Sequence, residues 1–506
     1  MDSALVRLPA DRGGWWHEYV CPSHGVELEH VDLFTGRFPA GGAPCRYGCR
    51  IDTPAVRGAW TVLAHQACAR AIQDLAARQP ERAVALLREY DQRYAELAVD
   101  DHPAAQPWML AGRLFQQALT EAIWAVRIGL AARALGDPVP RLTGALAEAA
   151  RQARDKLVAQ GRFTSNYTAW LNAAGAVCAP DPSWLTGPHG VYAHLAEAVG
   201  GDGWEWEAST YYHAFVLRAY LVAIDATPDH QPPAEVVDRL SAMAAALDAV
   251  TTSGGLIPAL HDTPYARPAT EQEYAELAEL RGRLLPAPAE PTRPVTVFPD
   301  AGYAVLRTPG IHAIVDFGPH GGSHGHRDKL ALYLYGTTTP WQPDPGQLPY
   351  GHRHWRDYYA STAAHPTFSV DSAEQAECAG RLVVADDTGV TVECDSAYPG
   401  VTARRTLTLD GDGLRDELTV ICDRPRRVTL QFRPDVPVEV APATTRWLGI
   451  ERLRGHHECT DPAAVLLARP GPGQADDPQR ARTHLDWVVP ATREVTFRST
   501  YRPHPV

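Results

Sequence analysis

The segment LLPAPAEPTRPVT, residues 284–296, divides the sequence into two parts with different hydrophobic periods. Its proline content predicts an extended linker, because proline fixes its own backbone dihedral and disfavours helix in the residue before it. Apolar residues recur at the helical period before this segment and alternate with polar residues after it. The sequence therefore predicts a helical domain followed by a strand-rich domain.

Helical patterns fill residues 57–255, and short Gly, Pro and Asp stretches separate them. These patterns are rich in Ala, Leu, Arg and Glu, which are good helix formers. They follow one another as serial helical hairpins without a strict sequence repeat. The expected helices cover residues 57–79, 81–99, 106–136, 141–161, 166–179, 190–200, 208–226 and 233–250.

Beyond the linker, short alternating runs separated by turns predict β-strands. The clearest hairpin is LTLDGDGLRDELTV, residues 407–420, where Asp-Gly turn chemistry separates two alternating flanks. Strands that follow one another without helices favour an antiparallel sandwich, so the expected class is multidomain α+β. We expect an N-terminal segment (1–56), a helical domain (57–283), the linker (284–296) and an antiparallel β-sandwich (297–506).

The composition limits the classes of partner. The chain has 506 residues and a net charge of −13, which disfavours general nucleic-acid binding. An anionic ligand would need a locally basic cleft. The first residues lack the apolar core of a secretory signal, and no uncharged apolar run approaches the roughly 18 residues of a membrane span. We therefore expect a cytoplasmic protein without a membrane partner.

Nine cysteines, an odd and mostly scattered set, argue against a disulfide framework. Cys21 and His24 lie in CPSHG, and Cys45 and Cys49 lie in CRYGC. These spacings are typical of a small zinc knuckle, which would hold a structural metal. The alternative is a degenerate knuckle that binds no metal.

The stretch GGSHGHRDKLALYLYG, residues 321–336, places His324 and His326 on either side of a glycine and ahead of a strand. In an extended backbone both imidazoles can face one side, and imidazole suits proton transfer and metal ligation. Asp344 follows that strand and His365 precedes another, so these side chains and His326 could converge on one zinc ion. The alternative is a pair of exposed loop histidines.

Three further stretches each allow a structural and a functional interpretation. In RFTSNYTAWLNAAG (162–175), either Ser165 or Asn166 caps a helix, or the Asn166 amide binds a substrate carboxyl group. In DGWEWEASTYYHAFVLRAY (202–220), Tyr212 either packs on a buried helix face or carries a proton with a lowered pKa. The stretch YGHRHWRDYYAST (350–362) is either a solvated loop or a basic clamp for carboxylates or sulfates, formed by His352, Arg353, His354 and Arg356.

Taken in order, SNYTAW, DGWEWEASTYYH, GGSHGHRDKLALYLYG, PDPG and RDYYASTAAHPTFSVD resemble the heparinase II/III-like polysaccharide lyases over about residues 160–375. The resemblance implies an α/α toroid, an incomplete helical barrel, followed by an antiparallel β-sandwich. It also implies β-elimination at a 4-linked uronic acid, giving a 4,5-unsaturated uronate. The substrate would be an acidic oligosaccharide or polysaccharide of the alginate, heparan or chondroitin type.

Matched position by position, the resemblance implies catalytic roles for three residues. Asn166 would neutralise the substrate carboxyl group, Tyr212 would donate a proton to the leaving oxygen, and His324 would act as base or neutraliser. Tyr212 is also a candidate for the base. The resemblance further implies a structural zinc ion bound by His326, Asp344 and His365. We expect substrate contacts from Tyr211, His213, Arg353, Arg356 and Tyr359.

Two other functions compete with the lyase. Helical toroids also carry glycoside hydrolases, which need two carboxylates flanking the scissile bond. Asp202, Glu205 and Glu207 lie in the appropriate part of the sequence for that chemistry. The second competitor is a non-catalytic protein that binds acidic glycans.

Overall fold

The computed structural model describes residues 6–98, 102–287 and 293–504. Helices occupy its first part and antiparallel sheets its second part, so the expected toroid followed by a β-sandwich is confirmed. Among the described residues, no helix has the length and apolarity to cross a bilayer.

The helices of the first part begin close to the predicted boundaries. Four of them start with proline, which suits the first helical turn because the missing N–H has no partner there. These helices are α1 (Pro54–Arg78), α2 (Pro80–Glu96), α3 (Ala118–Ala134), α4 (Pro140–Ala159), α5 (Asn166–Cys178), α6 (Ser183–Thr186), α7 (Val191–Ala198), α8 (Thr210–Asp225), α9 (Ala234–Val250) and α10 (Pro268–Leu284). A further helix, α11 (Arg353–Tyr359), lies in the second part.

The single helix expected over residues 106–136 was wrong. Only a 3-10 turn at Pro107–Met109 and the helix α3 form, because Leu110 adopts a positive φ of 54° between them. A side chain at Gly112 would also lie 2.1 Å from the Glu121 carboxylate. Three helices were not predicted: α10, the short α6, and the short α11 in the basic stretch.

The second part contains two antiparallel sheets, and a small hairpin lies near the N-terminus. The hairpin pairs β1 (Ala43–Pro44) with β2 (Arg50–Ile51). The smaller sheet has the order β3 (Val295–Phe298), β4 (Tyr303–Arg307), β5 (His312–Asp316), β6 (Leu332–Tyr335) and β7 (Pro340–Gln342). The larger sheet contains β8 (Phe368–Val370), β9 (Arg381–Ala385), β10 (Gly389–Cys394), β11 (Val401–Asp410), β12 (Gly413–Phe432), β13 (Val438–Ala441), β14 (Thr444–Leu448), β15 (Arg452–Cys459), β16 (Val465–Gly471) and β17 (Arg482–His504).

The smaller sheet joins the two halves of the molecule because both of its faces are buried. Ala304 and Leu306 of β4 face the larger sheet and share its apolar core. Tyr303 and Val305, which alternate with them, pack into the core of the helical part. Successive side chains of a strand point to opposite faces, so one strand contributes to both cores. The loops at the edge of this sheet are thereby held against the helices.

The change from helix to strand falls within the predicted linker. Helix α10 ends at Leu284 and strand β3 begins at Val295. Residues 288–292 of that segment lie outside the described residues. The division into four segments at residues 56, 283 and 296 stays a prediction.

Candidate active site

Asn166 and Tyr212 both lie in the first turn of a long helix. Ser165 caps α5 by accepting a hydrogen bond from the backbone of Tyr167, which makes Asn166 the first helical residue. Ser209 caps α8 in the same way by accepting from the backbone of Tyr212. Helix N-termini carry partial positive charge and favour bound anions. Of the two expected caps for α5, Ser165 is the one that forms, and the Asn166 side chain is left for other partners.

His324 ends a 3-10 turn, Gly322–His324, in the loop between β5 and β6. Glycine is required around it for steric reasons. Gly321 has a φ of 77°, and a Cβ at Gly325 would lie 1.2 Å from the carbonyl oxygen of His320. The glycine-rich approach therefore lets the loop fold back and present the His324 imidazole toward the helical half.

Four side chains form one hydrogen-bonded network between the two halves. Asp262 Oδ2 lies 2.9 Å from His324 Nδ1 and accepts a hydrogen bond of 2.9 Å from the Tyr350 hydroxyl. The Tyr350 hydroxyl also lies 3.0 Å from the Tyr212 hydroxyl and 3.1 Å from His324 Nδ1. The rings of Tyr212 and His324 stack with their centroids 3.9 Å apart. The phenol and the imidazole therefore lie on the same side of the site.

Asp262 is fully buried and is held as a carboxylate by the cations around it. Burial opposes its ionisation, but Arg356 and the hydrogen bonds from His324 and His326 outweigh burial and hold the pKa of Asp262 well below its usual range. Arg356 donates to both carboxylate oxygens, with NH2 lying 2.5 Å from Oδ2. Because Asp262 accepts from Nδ1 of His324, the lone pair of that imidazole lies on Nε2.

Asn166 contacts the buried carboxyl group of Glu207. Its Nδ2 lies 3.2 Å from Oε2 of Glu207, while its Oδ1 is buried without a hydrogen-bond partner among the described residues. Burial raises the pKa of Glu207, which is 5% exposed. Burial and the neighbouring Glu207 also raise the pKa of Glu205. A protonated Glu207 can donate to the amide oxygen of Asn166 once the amide is turned over.

The lowered pKa that the functional interpretation of Tyr212 required is not found. Burial raises the pKa of Tyr212 well above its usual range, and the negative charge of Asp262 adds to this effect. Arg356 acts in the opposite direction but does not overcome them. Tyr212 therefore keeps its proton in the resting site, which suits a proton donor.

A cavity of about 570 Å³ opens in front of this network. Asn166, Tyr211, Tyr212, His324 and Arg356 all line it, so the three predicted catalytic residues and two of the predicted substrate contacts share one crevice. Six arginines and two glutamates line the same cavity, and four of the arginines form ion pairs: Arg127 with Glu276, Arg218 with Glu273, Arg267 with Glu27 and Arg356 with Asp262. The arginines are Arg70, Arg127, Arg162, Arg218, Arg267 and Arg356.

Three predicted substrate contacts do not line this cavity. His213 is fully buried, with Nδ1 accepting from the Glu205 backbone and Nε2 lying 2.9 Å from the carbonyl oxygen of Met243. Tyr359 is 1% exposed and donates to the carbonyl oxygen of Gly473. Arg353 lies on the exposed side of α11 and lines a separate shallow groove. One turn of helix separates Arg353 from Arg356, and this turn decides which of them reaches the cavity.

His326, Asp344 and His365 converge in a fully buried group that could hold a metal ion. His326 Nδ1 lies 3.0 Å from His365 Nε2, and Asp344 Oδ1 lies 3.9 Å and 3.8 Å from these two nitrogens. The other nitrogen of His326 bonds Asp262, and that of His365 bonds the carbonyl oxygen of Ser361. Two neutral imidazoles so oriented would face each other with lone pairs, so a cation between them fits the geometry.

A second buried acidic group lies beside it but already contains a cation. His261, Asp316 and Asp328 lie within reach of one another. Lys329 Nζ lies 2.5 Å from Asp316 Oδ2 and 3.1 Å from Asp328 Oδ1. Burial opposes protonation of His261, yet Asp328 and Asp316 outweigh it and raise the pKa of His261 to about 10. The ammonium and imidazolium charges balance the carboxylates, and the group positions the neighbouring Asp262.

The residues that connect the site were not predicted from the sequence. Asp262 follows α9 in LHDTPYA, where a His-Asp pair interrupts an apolar loop, and this pair was the available signal. Tyr350 begins the basic stretch, but it is uncharged and so was not among the residues predicted to form the clamp. Arg70 of α1 and Arg218 of α8 line the cavity, but in the sequence each lies within a regular helical pattern. No local pattern distinguishes Tyr350, Arg70 or Arg218 from its neighbours in the sequence.

Comparison with known proteins places this geometry in context. Residues 290–500 match the family described as Heparinase II/III-like, C-terminal. A comparison with curated protein sequences finds no match. Heparinase III has a similar structure, with a TM-score of 0.69 at 15% identity over 99% of this chain and 87% of that chain.

Other similar structures are lyases of acidic glycans. A heparan sulfate lyase from Pedobacter heparinus gives a TM-score of 0.60 at 14% identity, over 90% of this chain and 78% of that one. A chondroitin AC lyase from Streptomyces coelicolor, in complex with chondroitin sulphate, gives a TM-score of 0.50 at 11% identity, over 88% of this chain and 75% of that chain. At these identities the likeness shows a shared fold. Residues 290–500 thus match the heparinase II/III-like C-terminal family, and the whole chain shares the fold of heparinase III.

Proposed function

We propose that this protein is a polysaccharide lyase that cleaves 4-linked uronic-acid-containing glycans by β-elimination. One observation carries the proposal: Asn166 and Tyr212 from the helical half and His324 from the sheet half line a single arginine-rich cavity. The similar structures named as lyases of heparan sulfate and chondroitin support the same class of substrate. Arg70 forms no hydrogen bond or ion pair with the described residues, so it is available for an anionic group of the glycan.

The first requirement is to neutralise the uronate carboxylate, because removing the C5 proton adds charge beside an existing anion. Glu207 in its protonated form donates to Oδ1 of Asn166, and the amide then directs Nδ2 into the cavity. The N-terminus of α5 adds favourable potential at the same point. Preorganised donors of this kind are commonly the largest contribution to catalysis of such steps.

His324 is the better placed base. Its Nδ1–H is held by Asp262, and its Nε2 carries the lone pair that takes the C5 proton. The Asp262 carboxylate stabilises the imidazolium that forms. Tyr212 does not fit the role of base, because its raised pKa opposes the phenolate that abstraction requires.

Tyr212 then acts as the acid. The C5–H bond breaks and its electron pair forms the C4–C5 double bond. The C4–O4 bond breaks, and O4 keeps that electron pair and takes the Tyr212 proton. A proton transfer from His324 to Tyr212 restores the resting state, so no net proton is consumed. General acid–base steps of this kind contribute about 10²–10⁴-fold each.

A zinc ion at His326, Asp344 and His365 would have a structural role. The ion would fix His326, whose Nε2 lies 3.1 Å from Asp262 Oδ1. Asp262 in turn orients His324, so the ion would act on the base through two hydrogen-bonded residues. When bound there, zinc supplies fixed ligand geometry and positive charge behind Asp262.

The glycoside hydrolase is less well supported. Asp202 accepts hydrogen bonds from the backbones of Asp300 and Ala301, and Glu205 is fully buried behind Glu207. Only Glu207 of the three candidate carboxylates lines the cavity. A hydrolase needs two carboxyl groups flanking the sugar bond, and the candidates do not provide them.

The direct test is a panel of alginate, heparan-type and chondroitin-type chains, read by the ultraviolet absorbance of a 4,5-unsaturated uronate. We expect new absorbance with at least one uronate and no incorporation of oxygen from labelled water. A hydrolase would incorporate solvent oxygen without the double bond. A binding protein would give heat in calorimetry without product. Folded protein that forms no unsaturated product on any uronate would overturn the proposal.

A further inference from the structure

We propose that Cys21, His24, Cys45 and Cys49 bind a tetrahedral zinc-class cation that fastens the N-terminal segment against the cavity. The segment contributes Trp15, Trp16, His17, His30 and Leu33 to the cavity lining, and we refer to these five residues as the N-terminal wall. The metal site stands independently of the lyase chemistry. The metal would fasten the N-terminal wall in the same way whichever ligand the cavity accepts.

The four ligand atoms have the spacing of a tetrahedral ion. The sulfur atoms of Cys21, Cys45 and Cys49 lie 3.4, 3.6 and 3.5 Å from Nδ1 of His24. Zinc binds sulfur at about 2.3 Å and imidazole nitrogen at about 2.0 Å, which separates these ligands by roughly 3.5 Å in a tetrahedron. All four atoms lie within 4.8 Å of one another.

Hydrogen bonding does not explain this convergence. The Nδ1 atom of a neutral imidazole has one lone pair and accepts from one thiol, yet three sulfurs surround it at nearly equal distances. Cys21 and Cys45 are buried, where unpaired polar groups are costly. A cation satisfies all four atoms at once, as in Cys₃His zinc sites.

The backbone around the ligands consists of two tight turns. The carbonyl oxygen of Cys21 accepts a hydrogen bond of 2.8 Å from the backbone N–H of Gly25, and Gly25 has a φ of 71°. Cys45 and Cys49 close a second turn, in which Gly48 has a φ of 85°. The backbone N–H of Tyr47 points at the sulfur of Cys45, 3.5 Å away, and such a bond stabilises a thiolate. The paired strands β1 and β2 bracket this turn.

The knuckle contacts the β-sandwich directly. Gln479 donates to the carbonyl oxygen of His24 at 3.0 Å, and the Tyr47 hydroxyl donates to Asp477 at 2.7 Å. A Cβ at Gly25 would lie 2.3 Å from the ring of Trp355, so the turn packs tightly against α11. The knuckle therefore joins the N-terminal segment to α11 and to the loop before β17.

The same segment reaches the catalytic network a few residues earlier. The carbonyl oxygen of His17 accepts from the backbone of Gly351 at 3.1 Å, and its Nδ1 accepts from the backbone of Tyr350 at 3.3 Å. The rings of His17 and Tyr350 stack with centroids 4.1 Å apart. An ion in the knuckle would therefore fix the position of the N-terminal wall relative to Tyr350.

The test measures zinc per chain in three full-length proteins purified from zinc-supplemented cells. They are the wild type, the double variant Cys45→Ser/Cys49→Ser, and Cys459→Ser as a matched control outside the cluster. We expect the double variant to contain one equivalent less zinc than the wild type, while the control equals the wild type. Any ion at His326 contributes equally to all three. Equal zinc in the double variant and the wild type, or knuckle cysteines found in disulfides, would overturn the proposal.

A second measurement uses the wild type alone and does not depend on the folding of a variant. An organomercurial displaces zinc from thiolates but not from a His/Asp/His group. We expect titration with the mercurial to release one zinc ion per chain to a colorimetric indicator, with cysteines consumed in parallel. Release of no zinc contradicts the site. After release, amide hydrogen exchange over residues 15–33 should be about tenfold faster, as expected for local loosening of the wall.

Discussion

His324 and Asp262 are joined by a hydrogen bond of 2.9 Å between Nδ1 and Oδ2, although 62 residues separate them in the chain. The backbone N–H of Asp262 also donates to the carbonyl oxygen of His324 at 3.3 Å. One residue follows helix α9 and the other lies in a loop of the smaller sheet. The His324 imidazole is therefore oriented by the opposite half of the molecule, and under the proposed mechanism loss of that contact should affect chemistry and stability together.

Replacing Tyr212 by Phe removes only the hydroxyl that lies 3.0 Å from Tyr350. Because the proposed mechanism takes the proton for the leaving oxygen from this hydroxyl, we expect kcat to fall by about 10²–10⁴-fold while substrate still binds. Steady-state kinetics and calorimetry measure the two effects. Tyr211→Phe is the matched control, since its hydroxyl donates to Glu273 and not to the network. Its kcat should stay within a few fold of wild type, and full activity of Tyr212→Phe would remove Tyr212 from the mechanism.

Replacing Asp262 by Asn should cost about 3–5 kcal/mol of stability, because it leaves the Arg356 guanidinium without its buried counter-charge. The folded-state pKa of Asp262 is depressed. Its contribution is therefore fully present above the unfolded value of about 3.9 and is lost as the pH falls below it toward the folded value. Urea unfolding from pH 7 to pH 3 should show the wild-type advantage shrinking in acid. An advantage that grew in acid would contradict this assignment.

Glu207→Gln separates the lyase from the hydrolase. Glutamine keeps a donor for Asn166 without titrating, as the protonated Glu207 does, so we expect kcat to stay within about tenfold of wild type. Burial raises the pKa of Glu207, so the wild type should lose activity as the pH rises through that value and the variant should not. A pH–rate profile checks both points. A hydrolase that used this carboxyl group would be inactivated by the change.

The stacking of Tyr212 on His324 predicts the stereochemistry of cleavage. With ring centroids 3.9 Å apart, the proposed acid and base would approach the sugar from one face. That arrangement favours uronates whose C5–H and C4–O4 bonds lie on the same face, as in glucuronate and mannuronate. Their C5 epimers, iduronate and guluronate, should be cut at least about tenfold more slowly, a difference of about 1.4 kcal/mol in the barrier. Defined oligosaccharides that differ only at C5 test this, and a preference for the epimers would contradict it.

Arg70→Gln should weaken substrate binding without changing the chemistry. Arg70 lines the cavity and forms no ion pair with the described residues, so its charge is available for the glycan. We expect KM to rise several fold, with kcat little changed and a weaker salt dependence of kcat/KM. Arg353→Gln is the control, since Arg353 lies outside the cavity. An equal rise in KM for both variants would show that net charge, and not the cavity, attracts the substrate.

Much of the fold could be predicted from local patterns because period and composition depend on near neighbours. The switch at residues 284–296, the Asp-Gly hairpin at 407–420 and most helix boundaries are of this kind. The failures also have local causes. The break before α3 depends on a positive φ at Leu110 and on contact between Gly112 and Glu121. The hydrophobic period of the sequence indicates neither feature.

The sequence by itself determined the residue types at the site: an amide and a phenol at helix starts, and an imidazole in a glycine-rich loop. Only the tertiary structure decided which side chains connect them, because Asp262 and Tyr350 gain their roles from contacts across 88 residues of chain. It also decided that Arg356 and not Arg353 reaches the cavity, because Arg356 lies one turn further along α11, where it bonds Asp262. The pKa of Tyr212 likewise depends on that burial.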